Sequence, residues 1–257
     1  MATPRTVDPW FPSLQPNTSA AVRLFCFPFA GAGASMYRDW QSALPGEVEV
    51  CAVQWPGRES RLREAAFTRM TPLVSATVTA MQPLLDRPFA LFGHSLGALA
   101  AFEVAKKLRA QGLPAPKLLI VSGCKAAARH MPPERPTHRL PDDAFREEIA
   151  RFGGTAPQVL ANDELMQVIE PILRADFAVL ETYLYEQTNP LQIPMLAVGG
   201  LADTLAPLDL LGEWQNETSS HFRLQALPGD HFFIQSARDE LLEIIGGELQ
   251  RVAQPRN

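Results

Sequence analysis

An α/β fold with a mostly parallel sheet, helices on both faces and a helical lid insertion is what this sequence predicts. Two observations predict it. Short apolar runs alternate with helical stretches along the chain, the pattern of strand–helix–strand units whose parallel strands are covered on both sides. At 257 residues the chain suffices for one large domain spanning 1–257 with a full core.

The strand candidates are Val22–Phe27, Val48–Val53, Phe89–Phe92, Leu118–Ser122, Ile193–Val198 and Phe222–Leu227. The third follows the turn signal Arg87-Pro88. Ala98 to Arg109 (ALAAFEVAKKLR) then reads as a helix that closes at Gly112. Between the fourth and fifth strands, residues 126–190 hold no convincing strand. That stretch opens on a Pro/Arg/His-rich linker, Arg129 to Pro141, and continues with helical segments at Asp142–Arg151, Asp163–Ile169 and Ile172–Tyr185. In the last of these Leu173, Phe177, Leu180 and Leu184 recur at helical spacing and make one apolar face. Pro171 suits the first turn of that helix and would be out of place inside it. Such an insertion above the sheet edge reads as a lid, or as added cover for the core.

The segment Gly93-His94-Ser95-Leu96-Gly97 is a Gly-x-Ser-x-Gly pattern placed between a strand and a helix. A sharp strand-to-helix turn exposes Ser95 on a strained corner, and the two glycines remove side chains that would collide with neighbouring backbone. The amide of Leu96 then lies at a helix N-terminus, suited to holding a developing oxyanion.

A serine hydroxyl is a weak nucleophile until a base takes its proton. Of the five histidines, His94 should point away on the elbow. His130 and His138 lie in the polar linker, and His221 precedes a strand. His231, in Pro228-Gly229-Asp230-His231 after the last strand, is the best placed, because active sites of such sheets lie at the carboxyl ends of the strands. Its carboxylate partner is Asp203, just past the fifth strand, with Asp209 in the same loop as runner-up and Asp230 disfavoured by adjacency. The order Ser95, Asp203, His231 is that of α/β-hydrolases. The second oxyanion donor is expected from the loop Pro28 to Ser35, as the amide of Phe29 or Ala30. A phosphate-cradling reading of the same loop is weak, since it lacks the Lys-Ser/Thr of a P-loop.

Net charge is −5, which argues against nucleic acid as a partner. No run of 18 apolar residues suggests a membrane span. Met1 to Ala20 carries prolines at 4, 9, 12 and 16 and no apolar run, so it does not read as a signal peptide. It is expected to lie extended over the surface, held by Trp10 and Phe11. Three cysteines, Cys26, Cys51 and Cys124, fall at or just after strands and read as reduced packing residues of a cytoplasmic protein, which is expected to be a monomer.

Taken together these segments resemble the type II thioesterases that accompany polyketide synthases and nonribosomal peptide synthetases and, more distantly, the medium-chain thioesterase of fatty-acid synthesis. The matching pieces are Leu24 to Gly31, Tyr37 with Trp40, Gln54-Trp55-Pro56-Gly57-Arg58-Glu59, the elbow Phe92 to Ala98, Leu173-Arg174-Ala175-Asp176-Phe177, and Pro228 to Phe233. They span nearly the whole chain. Trp55 stands where an aliphatic residue is more usual, which predicts at most a reshaped pocket. The resemblance implies an α/β-hydrolase fold and hydrolysis of acyl groups from the phosphopantetheine thioester of an acyl or peptidyl carrier protein, clearing stalled or wrongly primed synthases. It carries the catalytic roles onto Ser95, Asp203 and His231 and the oxyanion hole onto the amides of Leu96 and Ala30, with no metal or organic cofactor required. Arg58, Arg61 and Arg63, with Lys125 and Arg129, are expected to form a basic rim that steers acidic carriers, or else a solvated charged face. Rival readings are a carboxylesterase or lipase with the same triad, an acyltransferase, and a noncatalytic synthase-docking protein.

Overall fold

The computed structural model describes residues 8–14 and 17–253. Six strands, β1 (Val22–Phe27), β2 (Val48–Ala52), β3 (Phe89–His94), β4 (Leu118–Ser122), β5 (Met195–Gly200) and β6 (Phe222–Leu227), form one sheet in the order β2-β1-β3-β4-β5-β6. Every neighbouring pair is parallel. The helices are α1 (Trp40–Ala43), α2 (Met70–Met81), α3 (Leu96–Ala110), α4 (Asp142–Phe152), α5 (Pro157–Leu160), α6 (Asp163–Glu181), α7 (Leu208–Gly212), α8 (Phe233–Ser236) and α9 (Arg238–Ala253).

Strand side chains alternate between two buried layers, as a sheet covered on both faces requires. Phe25, Phe27, Leu91, Leu119 and Ala197 pack with α2 and α3 on one side. Leu24, Cys26, Phe92, Ile120 and Val198 pack with Tyr37, Trp40 and α9 on the other. All three cysteines are buried and free. The chain leaves β1 toward β2 on one side and continues through β3 on the other, so the β1 and β3 ends flank a topological switch point. Phe27 pairs with Gly93 in register, which sets the loop after β1 beside the turn after β3.

Three sequence expectations need correction. β5 is shifted two residues onward from Ile193–Val198. Pro194 has no N–H for the ladder, whereas Gly199 and Gly200, read as loop, pair with Ala226 and Leu227. The segments 163–169 and 172–185 are one helix, α6, with Pro171 inside it. Pro171 and Gln167, four residues earlier, are both exposed, so the carbonyl that loses its N–H partner faces solvent rather than core. The helix begins on Asn162, whose side chain accepts from the Leu165 amide, and it stops at Glu181. Leu184 therefore lies beyond the apolar face and is exposed. Finally, Asp8 to Leu14 forms consecutive turns rather than an extended run, although Phe11 is buried in the core as expected.

Candidate active site

Ser95 joins β3 to α3 with φ 53° and ψ −118°, one of two non-glycine residues with positive φ among those described. Two glycines make the turn possible. A β-carbon on Gly93 would lie 2.1 Å from the Gly97 carbonyl oxygen, and one on Gly97 would lie 2.2 Å from the Phe27 carbonyl oxygen. The strained corner is tied to the sheet by the Ser95 amide, which donates to the Ser122 carbonyl at 2.8 Å. Behind it α3 is built of strong helix formers with Lys107 and Arg109 in its last turn, where cations complement the helix dipole. Leu96 is its first residue, so its amide is among the donors a helix leaves without an internal partner.

His231 and Asp203 are brought together. The Nδ1–H of His231 donates to Asp203 Oδ2 at 2.9 Å, and Oδ1 accepts from the amides of Leu205 and Ala206 at 2.9 and 3.0 Å. Burial pushes the Asp203 carboxyl upward, but the hydrogen bond and charge of His231 together with those two amides outweigh it and hold the group below its ordinary value. Nδ1 thus carries the proton and Nε2 keeps its lone pair. Ser95 and His231 line the same cavity, and His231 Nε2 has no partner among the described residues. Contacts of this kind commonly tighten only with substrate in place. Asp209 lies exposed in the first turn of α7. Asp230 is also exposed, and its carboxylate accepts from the Phe232 amide. Neither competes with Asp203.

His94 points away from a base's position, as expected, yet it serves the site. Its Nε2–H donates to the His231 carbonyl at 2.9 Å, and its Nδ1 accepts from the Ser122 hydroxyl at 3.0 Å. It therefore fixes the backbone of His231 from beneath. No motif rule assigns the residue before the serine to that task, and only the fold shows it. Burial, with the nearby His231, pushes the His94 pKa down to about 3. His130 is pushed down to about 4 by burial and Lys125, against a hydrogen bond from its ring to the Lys125 carbonyl.

These two rings have a thermodynamic consequence. Their folded pKa values lie below the ordinary 6.5, so the unfolded chain binds more protons and stability is lost as pH falls from about 6.5 toward 4 for His130 and toward 3 for His94. Each ring contributes a slope of at most about 1.4 kcal/mol per pH unit. The melting temperature should decline over that window, and His94→Gln should make the decline shallower. An equal slope in thermal melts of the variant and wild type would contradict the role of His94.

The cavity that holds Ser95 and His231 has a volume of about 590 Å³ and is lined largely by apolar side chains, among them Phe29, Ile149, Phe152, Leu173, Phe177 and Leu180. The α4–α6 insertion supplies most of these, so its apolar face lines the cavity. The insertion also seats itself beside the histidine. A β-carbon on Gly154 would lie 2.4 Å from the Phe232 ring, and Phe232 packs edge-on against His231. In the loop after β1 the Gly31 amide is engaged by Asp176. The amides of Phe29 and Ala30 donate to no backbone acceptor among the described residues, and both residues face the cavity.

Two further expectations change. Trp55 is buried in the core and absent from the cavity lining, so it reshapes packing rather than the pocket. The basic rim loses most of its members. Arg61 is buried, with its guanidinium on Glu64 and on the Gln54 carbonyl and stacked over Trp10. Reversing its charge would break the fold before it reported on docking. Arg58 is buried against Asp176, and Arg129 pairs with Glu213. Arg63 remains exposed, and Lys125 lines the cavity. Among the described residues no cluster of His, Cys, Asp or Glu could hold a metal ion, and no helix is long and apolar enough to cross a membrane.

The chain matches the family model of the thioesterase domain over residues 22–249. It is 38% identical to the gramicidin S biosynthesis protein GrsT of Aneurinibacillus migulanus, over 97% of each chain. Among solved structures it is similar to RedJ, a thioesterase of the prodiginine pathway in Streptomyces coelicolor, with a TM-score of 0.83 and 38% identity over 93% of this chain and 98% of that one. It is also similar to YbtT, a type II thioesterase of the yersiniabactin pathway, with a TM-score of 0.83 and 30% identity over 94% and 98%. Matched along nearly its whole length, the chain belongs to the thioesterase family, with the α/β-hydrolase fold of the type II thioesterases.

Proposed function

We propose that this enzyme releases acyl groups from the phosphopantetheine thioester of acyl or peptidyl carrier proteins, through an acyl-enzyme on Ser95, and so clears stalled or wrongly primed synthases. The observation that carries the reading is a strained serine and a His231–Asp203 pair lining one apolar cavity, in a chain whose relatives are named for gramicidin S and yersiniabactin biosynthesis.

In this reading His231 Nε2 accepts the Ser95 proton while Oγ attacks the thioester carbonyl. The negative charge that develops on the carbonyl oxygen is met by the amides of Leu96 and Ala30, donors fixed before the reaction begins. Collapse of the tetrahedral adduct breaks the C–S bond, and the departing sulfur takes the proton from His231. Water then gives a proton to His231 as it attacks the acyl-enzyme. The free acid leaves and the proton returns to Ser95. Asp203 stays ionised throughout and balances the imidazolium. The apolar walls accommodate the acyl chain and exclude water from the first step.

The test compares one acyl chain carried on holo-carrier protein, on CoA and on an oxygen ester. The expected order of kcat/KM is carrier thioester above CoA thioester above oxygen ester. An oxygen ester hydrolysed as well as the thioester would favour a general esterase, and equal rates on carrier and CoA would remove the carrier from the proposal. Acyl transfer to an added alcohol or amine in preference to water would make the enzyme an acyltransferase.

A further inference from the structure

We infer that Asp176 and Arg58 form a positioning clamp that presets the second oxyanion donor. The inference rests on the proposed role of the Ala30 amide. Asp176 lies on α6 and Arg58 on the loop after β2, both with side chains almost wholly buried, 3% and 4% exposed. Their contact is bidentate, Nη1 to Oδ2 at 2.7 Å and Nη2 to Oδ1 at 2.8 Å. Such a pair adds little to stability when replaced by well-packed apolar groups, so its burial points to a geometric task.

That task is visible in what else the two groups hold. Asp176 Oδ2 accepts from the Gly31 amide at 2.7 Å, and Arg58 Nη1 donates to the Ala32 carbonyl at 3.0 Å. The Ala32 amide closes back onto the Phe29 carbonyl at 3.0 Å. The Phe29 carbonyl and the Ala30 N–H share one planar peptide unit, so fixing the carbonyl aims the N–H the opposite way. Every peptide unit from Phe29 through Ala32 is thus tied by one hydrogen bond, two of them to the clamp. Gly31 has φ +81°, and a β-carbon there would lie 2.6 Å from the Leu173 side chain, so α6 also seats directly on this turn. Gln54 and Glu59, on either side of Arg58, extend the same support. Gln54 accepts from the Ala34 amide at 2.9 Å and Glu59 accepts from the Ser35 hydroxyl at 2.5 Å. The ionic pairing has a second effect. The guanidinium neutralises a carboxylate that would otherwise repel negative charge developing in the nearby hole.

Asp176→Asn leaves one acceptor oxygen for the three N–H groups that the carboxylate now serves. It should lower kcat for acyl-pantetheine hydrolysis ~10–100-fold and change KM by less than about 3-fold, the split expected when an interaction matters mainly in the transition state. Inactivation by a fluorophosphonate, whose P=O oxygen occupies the same hole, should slow in parallel, while the Kd of an acyl-pantetheine thioether should hold. The double variant Arg58→Met/Asp176→Leu removes both buried charges and guards against misfolding. It should recover the wild-type melting temperature within a few degrees and keep the kcat defect. Wild-type kcat in either folded variant, or a loss confined to KM and thioether binding, would overturn the clamp and leave the hydrolase reading intact. A wild-type protein that hydrolyses no thioester would overturn both.

Discussion

Ser95→Ala is expected to remove turnover of acyl-pantetheine and acyl-CoA thioesters, by on the order of 10⁶ where the serine is the nucleophile of a triad, while the protein remains folded. The side chain is half-buried at the cavity wall, so alanine deletes one hydroxyl without opening the core. The positive φ at this position is borne by serine already, so alanine adds no new class of strain. His231→Ala should match it closely, because an unassisted hydroxyl is a poor nucleophile at neutral pH. Steady-state turnover together with thermal melts checks both. A folded Ser95→Ala protein with wild-type turnover would remove the nucleophile assignment.

Asp203→Asn is the second large effect, with kcat expected to fall ~10³–10⁴-fold. The geometry says why an isosteric change is so costly. One carboxylate oxygen of Asp203 already serves the amides of Leu205 and Ala206, and the other accepts from His231. An asparagine keeps a single acceptor oxygen, which the two backbone amides claim, so its NH2 group turns toward Nδ1. The ring must then carry its proton on Nε2, where the base needs a lone pair. Asp209→Asn, on the exposed start of α7, should leave kcat near wild type. The reverse outcome for the two variants would transfer the carboxylate role to Asp209 and leave the reaction class standing.

Much of this arrangement is legible in the sequence, for reasons that differ from element to element. The strands are short runs bounded by turn signals, and those signals, more than periodicity, mark them. β1 to β5 are mostly apolar and buried, whereas β6 lies partly exposed at the sheet edge. β5 is misplaced because its end glycines read as loop. The elbow and the His231 loop are legible because turns between elements carry strong local chemistry at the ends of strands. Pro171 misleads because the rule against proline in helices assumes that the lost hydrogen bond matters. At a solvent-facing position water can serve the freed Gln167 carbonyl, and the buried face of α6 carries the helix through. The long-range pairs are the least legible. The Arg58–Asp176 contact spans 118 residues in sequence, and no periodicity marks two ions that meet only after folding. Arg61 misleads in part for the same reason, since Glu64 is three residues away but Trp10 meets it only after folding. A run of arginines reads as a solvated face until Glu64 and Trp10 are seen to enclose one of them. His94 is the opposite case, a residue rightly set aside as the base whose support of the His231 backbone depends on how β3 and the last loop meet.

The central claim is a covalent acyl-enzyme on Ser95, and the most direct test is rapid-quench peptide mass spectrometry of the enzyme mixed with an acyl-pantetheine thioester. The acyl mass should appear on the peptide containing Ser95 and decay as free acid accumulates, at a rate that accounts for kcat. Turnover with that peptide unmodified, or with the acyl group on Cys124 or another side chain, would contradict it.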